Sequence, residues 1–231
     1  MKQKLILLMV LIAGLAACSK DEDGDYYAEN AVDSENIAQY GEFEGDWILD
    51  QQVIGSAILV VTDKHFLLNL PEEQLLKYAL SLLTADGIVN IPDNSSITFV
   101  FDSKKEEQSE EKYASDNSIV SQWGYQLQGN SENNSYFEFD NTKLDLPYQP
   151  GYMVTHGWVN VSDENGEKHK WELAFFSNEP IVGIFNRDNQ LWVIKITLNN
   201  IFYDDMNGYY FRTLQSPPVL IFVAREKLYT K

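Results

Sequence analysis

From about residue 40 onward, short apolar segments rich in β-branched and aromatic residues alternate with turn residues, which is the pattern of β-strands. Phe43 to Asp50 and Ser56 to Val61 are the first two, and Thr62-Asp63-Lys64 turns the chain into His65 to Leu68. A different period follows. Leu75, Leu76, Ala79, Leu80 and Leu83 recur at helical spacing, with Pro71 in the first turn, where its missing N–H does no harm, and Glu72 and Glu73 at the positive end of the dipole. The spacing predicts one helix near 71–84, ended by Asp86-Gly87 and packed as a lid on a sheet core. Ile97 to Phe101 returns to the strand pattern. The run from Asp102 to Asn117, with Glu106, Glu107, Glu110 and Glu111, has no apolar face and reads as a long exposed loop.

Strand patterns resume at Ile119 to Leu127 and Ser135 to Asp140. Val154 to Ser162 and Lys168 to Phe176 flank Asp163-Glu164-Asn165-Gly166, and Asn-Gly is the strongest short hairpin signal. In the second of these, Trp171, Leu173 and Phe175 share one face and Lys170 and Glu172 the other. Ile181 to Phe185 and Leu191 to Leu198 flank Asn186-Arg187-Asp188-Asn189, with Trp192, Ile194, Ile196 and Leu198 on one face. Val219 to Ala224, after Pro217-Pro218, is a continuous apolar run suited to a strand covered on both faces. The expectation is a mostly β fold of about ten strands and one helix, an antiparallel barrel or a sandwich.

The first 25 residues follow neither period. Lys2 and Lys4 precede an apolar run from Leu5 to Leu15, too short to span a bilayer core of about 30 Å and built like a secretory leader. Leu15-Ala16-Ala17-Cys18 closes it, and this resembles the lipobox of bacterial lipoproteins. The resemblance implies cleavage before Cys18, acylation of its thiol, and a membrane anchor. Ser19-Lys20-Asp21-Glu22-Asp23-Gly24-Asp25 is similar to the acidic signal of lipoproteins at the outer face of the outer membrane. Asp21-x-Asp23-Gly24-Asp25 also has half the ligand pattern of a calcium loop, but its full set is wanting, and a solvated tether is the reading adopted. The organisation expected is therefore a signal peptide at 1–17, a flexible acidic tether at 18–39 and a single all-β domain at 40–231.

Gly45-Asp46-Trp47, at the start of the first strand, resembles the Gly-x-Trp of lipocalins and lipocalin-like bacterial proteins. There the tryptophan plugs one end of an antiparallel barrel, and a basic side chain of the last strand packs over the indole. Arg225 is the matching position here. The helix near 71–84 departs from the family, whose helix comes late in the chain.

Composition narrows the partners. The chain has 35 acidic and 17 basic residues, a net charge of −18. Loss of the leader removes Lys2 and Lys4 and takes the charge to −20. Nucleic acid and anionic lipid surfaces, which are bound through Lys and Arg, are disfavoured. Cys18 is the sole cysteine, so an internal disulfide is excluded, and its expected acylation excludes a thiol nucleophile. His65, His156 and His169 fall in no metal-ligand spacing, and no nucleophile elbow, P-loop or dinucleotide motif is present. No metal site, cofactor or catalytic residue is expected.

What remains is surface chemistry. His156 and Trp158 share a strand face. Tyr203, Tyr209 and Tyr210, with Tyr148 and Tyr152, fall near expected loops beside acids, where rings can stack on a ligand while carboxylates take its hydroxyls. Asp204-Asp205-Met206-Asn207-Gly208 reads as a turn. The function expected is a non-enzymatic, lipid-anchored binding protein of the outer-membrane surface. Its ligand would be a small apolar molecule or a glycan, contacted through Trp158, His156, Tyr203, Tyr209 and Tyr210. The alternatives are an adhesive subunit that binds another surface protein and, third, a glycan hydrolase.

Overall fold

A computed structural model of the chain describes residues 41–62, 64–101, 121–140, 143–145 and 150–226. The expected leader, Cys18, the tether and the acidic loop at 102–117 lie outside the described residues. The strands are β1 (Gly41–Leu49), β2 (Gln52–Val61), β3 (His65–Leu68), β4 (Ser96–Phe101), β5 (Ser121–Asn130), β6 (Asn134–Asp140), β7 (Lys143–Asp145), β8 (Pro150–Ser162), β9 (Lys168–Ser177), β10 (Val182–Asn186), β11 (Leu191–Thr197), β12 (Asn200–Asp204), β13 (Tyr209–Thr213) and β14 (Val219–Glu226). Helix α1 (Glu72–Ala85) lies between β3 and β4.

Eight strands close into a barrel in the order β1, β2, β3, β5, β6, β10, β11, β14, with β14 back against β1. That is chain order, and every pair is antiparallel. Of the two expected architectures, the barrel is therefore the one formed. The remaining strands build a second sheet, ordered β13-β12-β9-β8-β4, with β7 also paired to β8.

Antiparallel alternation fixes where that second sheet arises. The β2–β3, β5–β6 and β10–β11 connections, together with the start of β1 and the end of β14, lie at one end of the barrel. The α1–β4, β7–β9 and β12–β13 segments all leave from the other end. One end thus carries tight turns, and the opposite end carries everything else.

Inside the barrel, alternate residues meet as rings. Phe66 lies 4.5 Å from Tyr125, 4.7 Å from Phe139 and 4.9 Å from Trp192, centroid to centroid. Phe185 and Phe137 approach Trp192 at 5.0 and 5.1 Å. These separations suit edge-to-face and tilted packing, and they fill the interior with side chains. Small residues make room for the rings. Gly45 pairs with Ala224 on one side and Ala57 on the other, and a Cβ on Gly45 would lie 2.1 Å from the Val223 carbonyl oxygen. The glycine of Gly45-Asp46-Trp47 is thus required by the close approach of β1 to β14.

Trp47 of that motif is buried inside the barrel, its indole N–H donating to the Asn69 carbonyl at 2.8 Å. The ring over it is Phe222, at 5.0 Å. The expectation for Arg225 needs correction. Arg225 pairs with Glu44 and is exposed, because its position in β14 alternates out of the barrel, whereas Phe222, the register partner of Trp47, points in. The last strand otherwise matches its apolar pattern. Leu220, Phe222 and Ala224 line the interior, and Ile221 packs with Leu191 and Val193 in a separate apolar cluster.

Helix α1 sits between the elaborated end and the second sheet. Leu75, Leu76, Ala79, Leu80 and Leu83 are all buried, in one cluster that runs from barrel residues such as Leu49 and Leu68 to Leu173, Phe175 and Ile201 of the sheet. Polar contacts hold it on both sides. The Tyr78 hydroxyl donates to Asp50 Oδ2 at 3.0 Å in the β1–β2 turn, and its ring stacks on Phe175 of β9. Asp86, at the helix C-terminus, pairs with Arg212 of β13.

Where the chain passes directly from barrel to sheet, between β11 and β12, asparagines satisfy the corner. Asn200 is fully buried, its amide donating to Asn178 Oδ1 at 2.6 Å and its Oδ1 accepting from the Thr213 hydroxyl at 2.9 Å. The Asn199 N–H donates to the Phe176 carbonyl at 2.9 Å.

Candidate functional site

The second sheet has two unlike faces. Toward α1 it presents Val159, Val161, Leu173, Phe175, Ile201 and Tyr203, all buried. The opposite face follows the other parity of the same strands. Across it, Trp158 of β8 pairs with Glu172 of β9, Glu172 with Asp204 of β12, and Asp204 with Tyr209 of β13. The next row is His156, Ala174, Phe202 and Phe211. Directly paired residues share a face with Cβ atoms about 5 Å apart, and four strands at about 4.8 Å spacing make each row about 14 Å long.

The side chains of these rows are organised by one another. Lys170 places its ammonium 3.9 Å from the Trp158 ring centroid. The His156 ring pairs with the Glu172 carboxylate through Nε2 and stands edge-on to Trp158 at 6.1 Å. Phe202 and Tyr209 stack at 6.5 Å with an 18° interplanar angle. Asp204 and Asp205 hold the β12–β13 turn as their composition predicted: Asp204 Oδ1 accepts the Met206 N–H at 2.6 Å, and Asp205 Oδ1 accepts those of Asn207 and Gly208 at 2.9 and 3.0 Å.

The five residues singled out from the sequence divide between the faces. His156 and Trp158 do share a face, as expected, and Tyr209, 67% exposed, joins them on the outer side. Tyr203 lies on the inner face at 8% exposure. Its hydroxyl pKa is pushed up to about 12 by burial first, then by the charges of Asp205 and Asp204. Tyr210 is the register partner of Tyr203 and shares that inner face at the edge strand. Tyr148 lies outside the described residues. Lys170, Glu172, Asp204, Phe202 and Phe211 lie on the outer face as well, and the sequence alone does not mark them as contacts. For the first two the signal was present in the alternation of β9. For the others it required knowing that β12 and β13 are strands.

Chemically, this face offers flat rings beside paired carboxylates on an open sheet. Such a surface can stack on a ring-shaped ligand and accept hydrogen bonds from its hydroxyls. Glu172 and Asp204 stand side by side on one open surface, on neighbouring strands. Among the described residues, one group could hold a metal ion. Asp163, Glu167 and His169, around the β8–β9 turn, offer ligand atoms within 4.8 Å of one another. Asp163 Oδ1 there also accepts the N–H groups of Asn165 and Glu167, both at 2.9 Å, so it serves the turn. Comparison with family models, with curated proteins and with solved structures returns no match.

Proposed function

We propose that this chain is a lipid-anchored binding protein of the outer-membrane surface, held by an acylated Cys18, which binds glycans through the outer face of its second sheet without altering them. The observation that carries the reading is the row Trp158, Glu172, Asp204, Tyr209, in which aromatic faces flank carboxylates on an open four-strand surface. Sugars bring apolar ring faces and hydroxyl donors together, and this row supplies a partner for each. The rings that fill the barrel turn the proposal away from a small apolar ligand in the lumen and toward the sheet.

Chain direction supports the same reading. The described chain enters at Gly41, at the plain end of the barrel, and the second sheet arises from the opposite end, farthest from the point where a tether from Cys18 would join. The 22 residues from Ser19 to Tyr40 reach at most about 75 Å. Among the described residues, no helix is long and apolar enough to cross a membrane.

Two experiments test this. Mass spectrometry of cell-made protein is expected to find Cys18 as the first residue with an acyl mass on it; a retained leader overturns the anchor. A glycan array probed with the full chain in detergent is expected to give hits that W158A loses. No hits, or hits unaffected by W158A, overturn the sheet as the binding face.

A further inference from the structure

Within that glycan reading, on which the inference rests, we propose that the row selects sugars bearing a free amino group, and that the ammonium lies between Glu172 and Asp204 beside the Trp158 ring. Three observations converge. First, the Trp158 face already takes an ammonium: Lys170 Nζ sits 3.9 Å from its centroid, an intramolecular stand-in for a ligand cation. Second, Glu172 and Asp204 are direct partners across β9 and β12, so two carboxylates stand on neighbouring strands of one face, and a cation between them offsets the like charges that His156 leaves on the row. Third, the whole chain carries a net charge of −18, so cationic ligands are drawn toward it over neutral ones.

The groups facing the pair are few enough to name. His156 contacts Glu172, and Asp204 accepts one backbone N–H, from Met206. Asp205 adds a third carboxylate next in the chain, and it helps raise the Tyr203 pKa from the other face. Lys170 is the ammonium nearest the row, and it is spent on Trp158. A sugar ring stacked on Trp158 would displace the lysine and place its own ammonium in an equivalent field. A neutral or N-acetylated sugar would keep the stacking and lose the charge.

The test is calorimetry on the full chain in detergent with three matched probes: a β-1,4-glucosamine oligomer, its N-acetylated form and a β-1,4-glucose oligomer. The amine oligomer is expected to bind about tenfold more tightly than the other two. E172Q combined with D204N is expected to erase that preference by weakening the amine oligomer most, while the neutral oligomers, whose hydroxyls the carboxamide oxygens still accept, lose less. K170A is expected to strengthen amine binding by clearing the ring, and W158A to weaken all three. W158F checks that a loss with W158A is not a loss of the fold. Equal affinity for the three probes overturns the amine preference and leaves the glycan reading standing. Binding of none overturns the amine preference, and an array without hits as well overturns the glycan reading. A preference that survives E172Q with D204N shows that overall charge, not this pair, attracts the amine, and overturns the assignment.

Discussion

Two regions of this molecule use the same residue types to opposite ends. The barrel interior and the outer face of the second sheet are both rich in aromatic rings. In the barrel the rings face one another, with Phe66, Phe137, Phe185 and Trp192 fully or nearly fully buried. On the sheet, Trp158, Phe202, Phe211 and Tyr209 keep part or most of their surface in solvent and stand beside Lys170, Glu172 and Asp204. A ring surrounded by rings contributes to stability. A ring left half in water next to charge contributes little to it and is available for contact. The difference teaches that aromatic content alone does not set a candidate site apart in this chain; accessibility and charged neighbours do.

That contrast can be broken by substitution. F66A is expected to have the largest effect, about 3–5 kcal/mol lost in chemical denaturation, because it removes the ring at the centre of the interior cluster. G45A is expected to cost about 1–3 kcal/mol by overpacking β1 against β14, read as a fall in thermal midpoint. N200A, which strips a buried corner, is expected to cost a similar or slightly smaller amount, about 1–3 kcal/mol, and its hydrogen exchange is expected to rise in β12 and β13 rather than in the barrel.

The fourth prediction concerns alkaline pH. Tyr78 is raised to about 12 by burial, then by its hydrogen bond to Asp50 and by that residue's charge, and Tyr203 is raised to the same value by burial and nearby carboxylates. The folded form therefore holds these protons more tightly than the unfolded chain does. Their contribution is fully present below about pH 10 and is lost as pH rises toward about 12. Denaturation midpoints are expected to fall across that window, and less steeply in Y78F. The smallest effect on stability is expected for W158A, within about 1 kcal/mol of the parent, although it is the variant expected to weaken binding of every probe. If W158A destabilised the fold as F66A does, the contrast between the two regions would fail.

Much of the fold was legible because alternation is local. In β9, Trp171, Leu173 and Phe175 fall on the face toward α1 and Lys170 and Glu172 on the other, as their spacing requires. The helix was legible for the same reason. β12 and β13 were not, since each is only five residues long and carries adjacent aromatic pairs, Phe202-Tyr203 and Tyr209-Tyr210, that blur the two-residue period. Nor does local pattern reveal that β4, β7 to β9, β12 and β13 leave the barrel to pair with one another, because pairing across distant insertions has no period. The candidate site was legible in part. His156 and Trp158 share a strand, so their common face could be counted off. Asp204 and Tyr209 reach them only through two further strand pairings. Tyr203 and Tyr210 looked the same as Tyr209 until the register placed them on the inner face.

The closure of the barrel by β14 against β1 has one more consequence. Phe43 and Glu226 are register partners, so the two points where the described chain begins and ends lie side by side. The fold is thus a pendant, hung from a single spot by two adjacent strands, with the second sheet at the far end. Spliced between two neighbouring positions of a host protein's surface loop, residues 41–226 would project outward without parting the host's own backbone. A reporter fused after β14 would sit at the base of the pendant, clear of Trp158 and Tyr209.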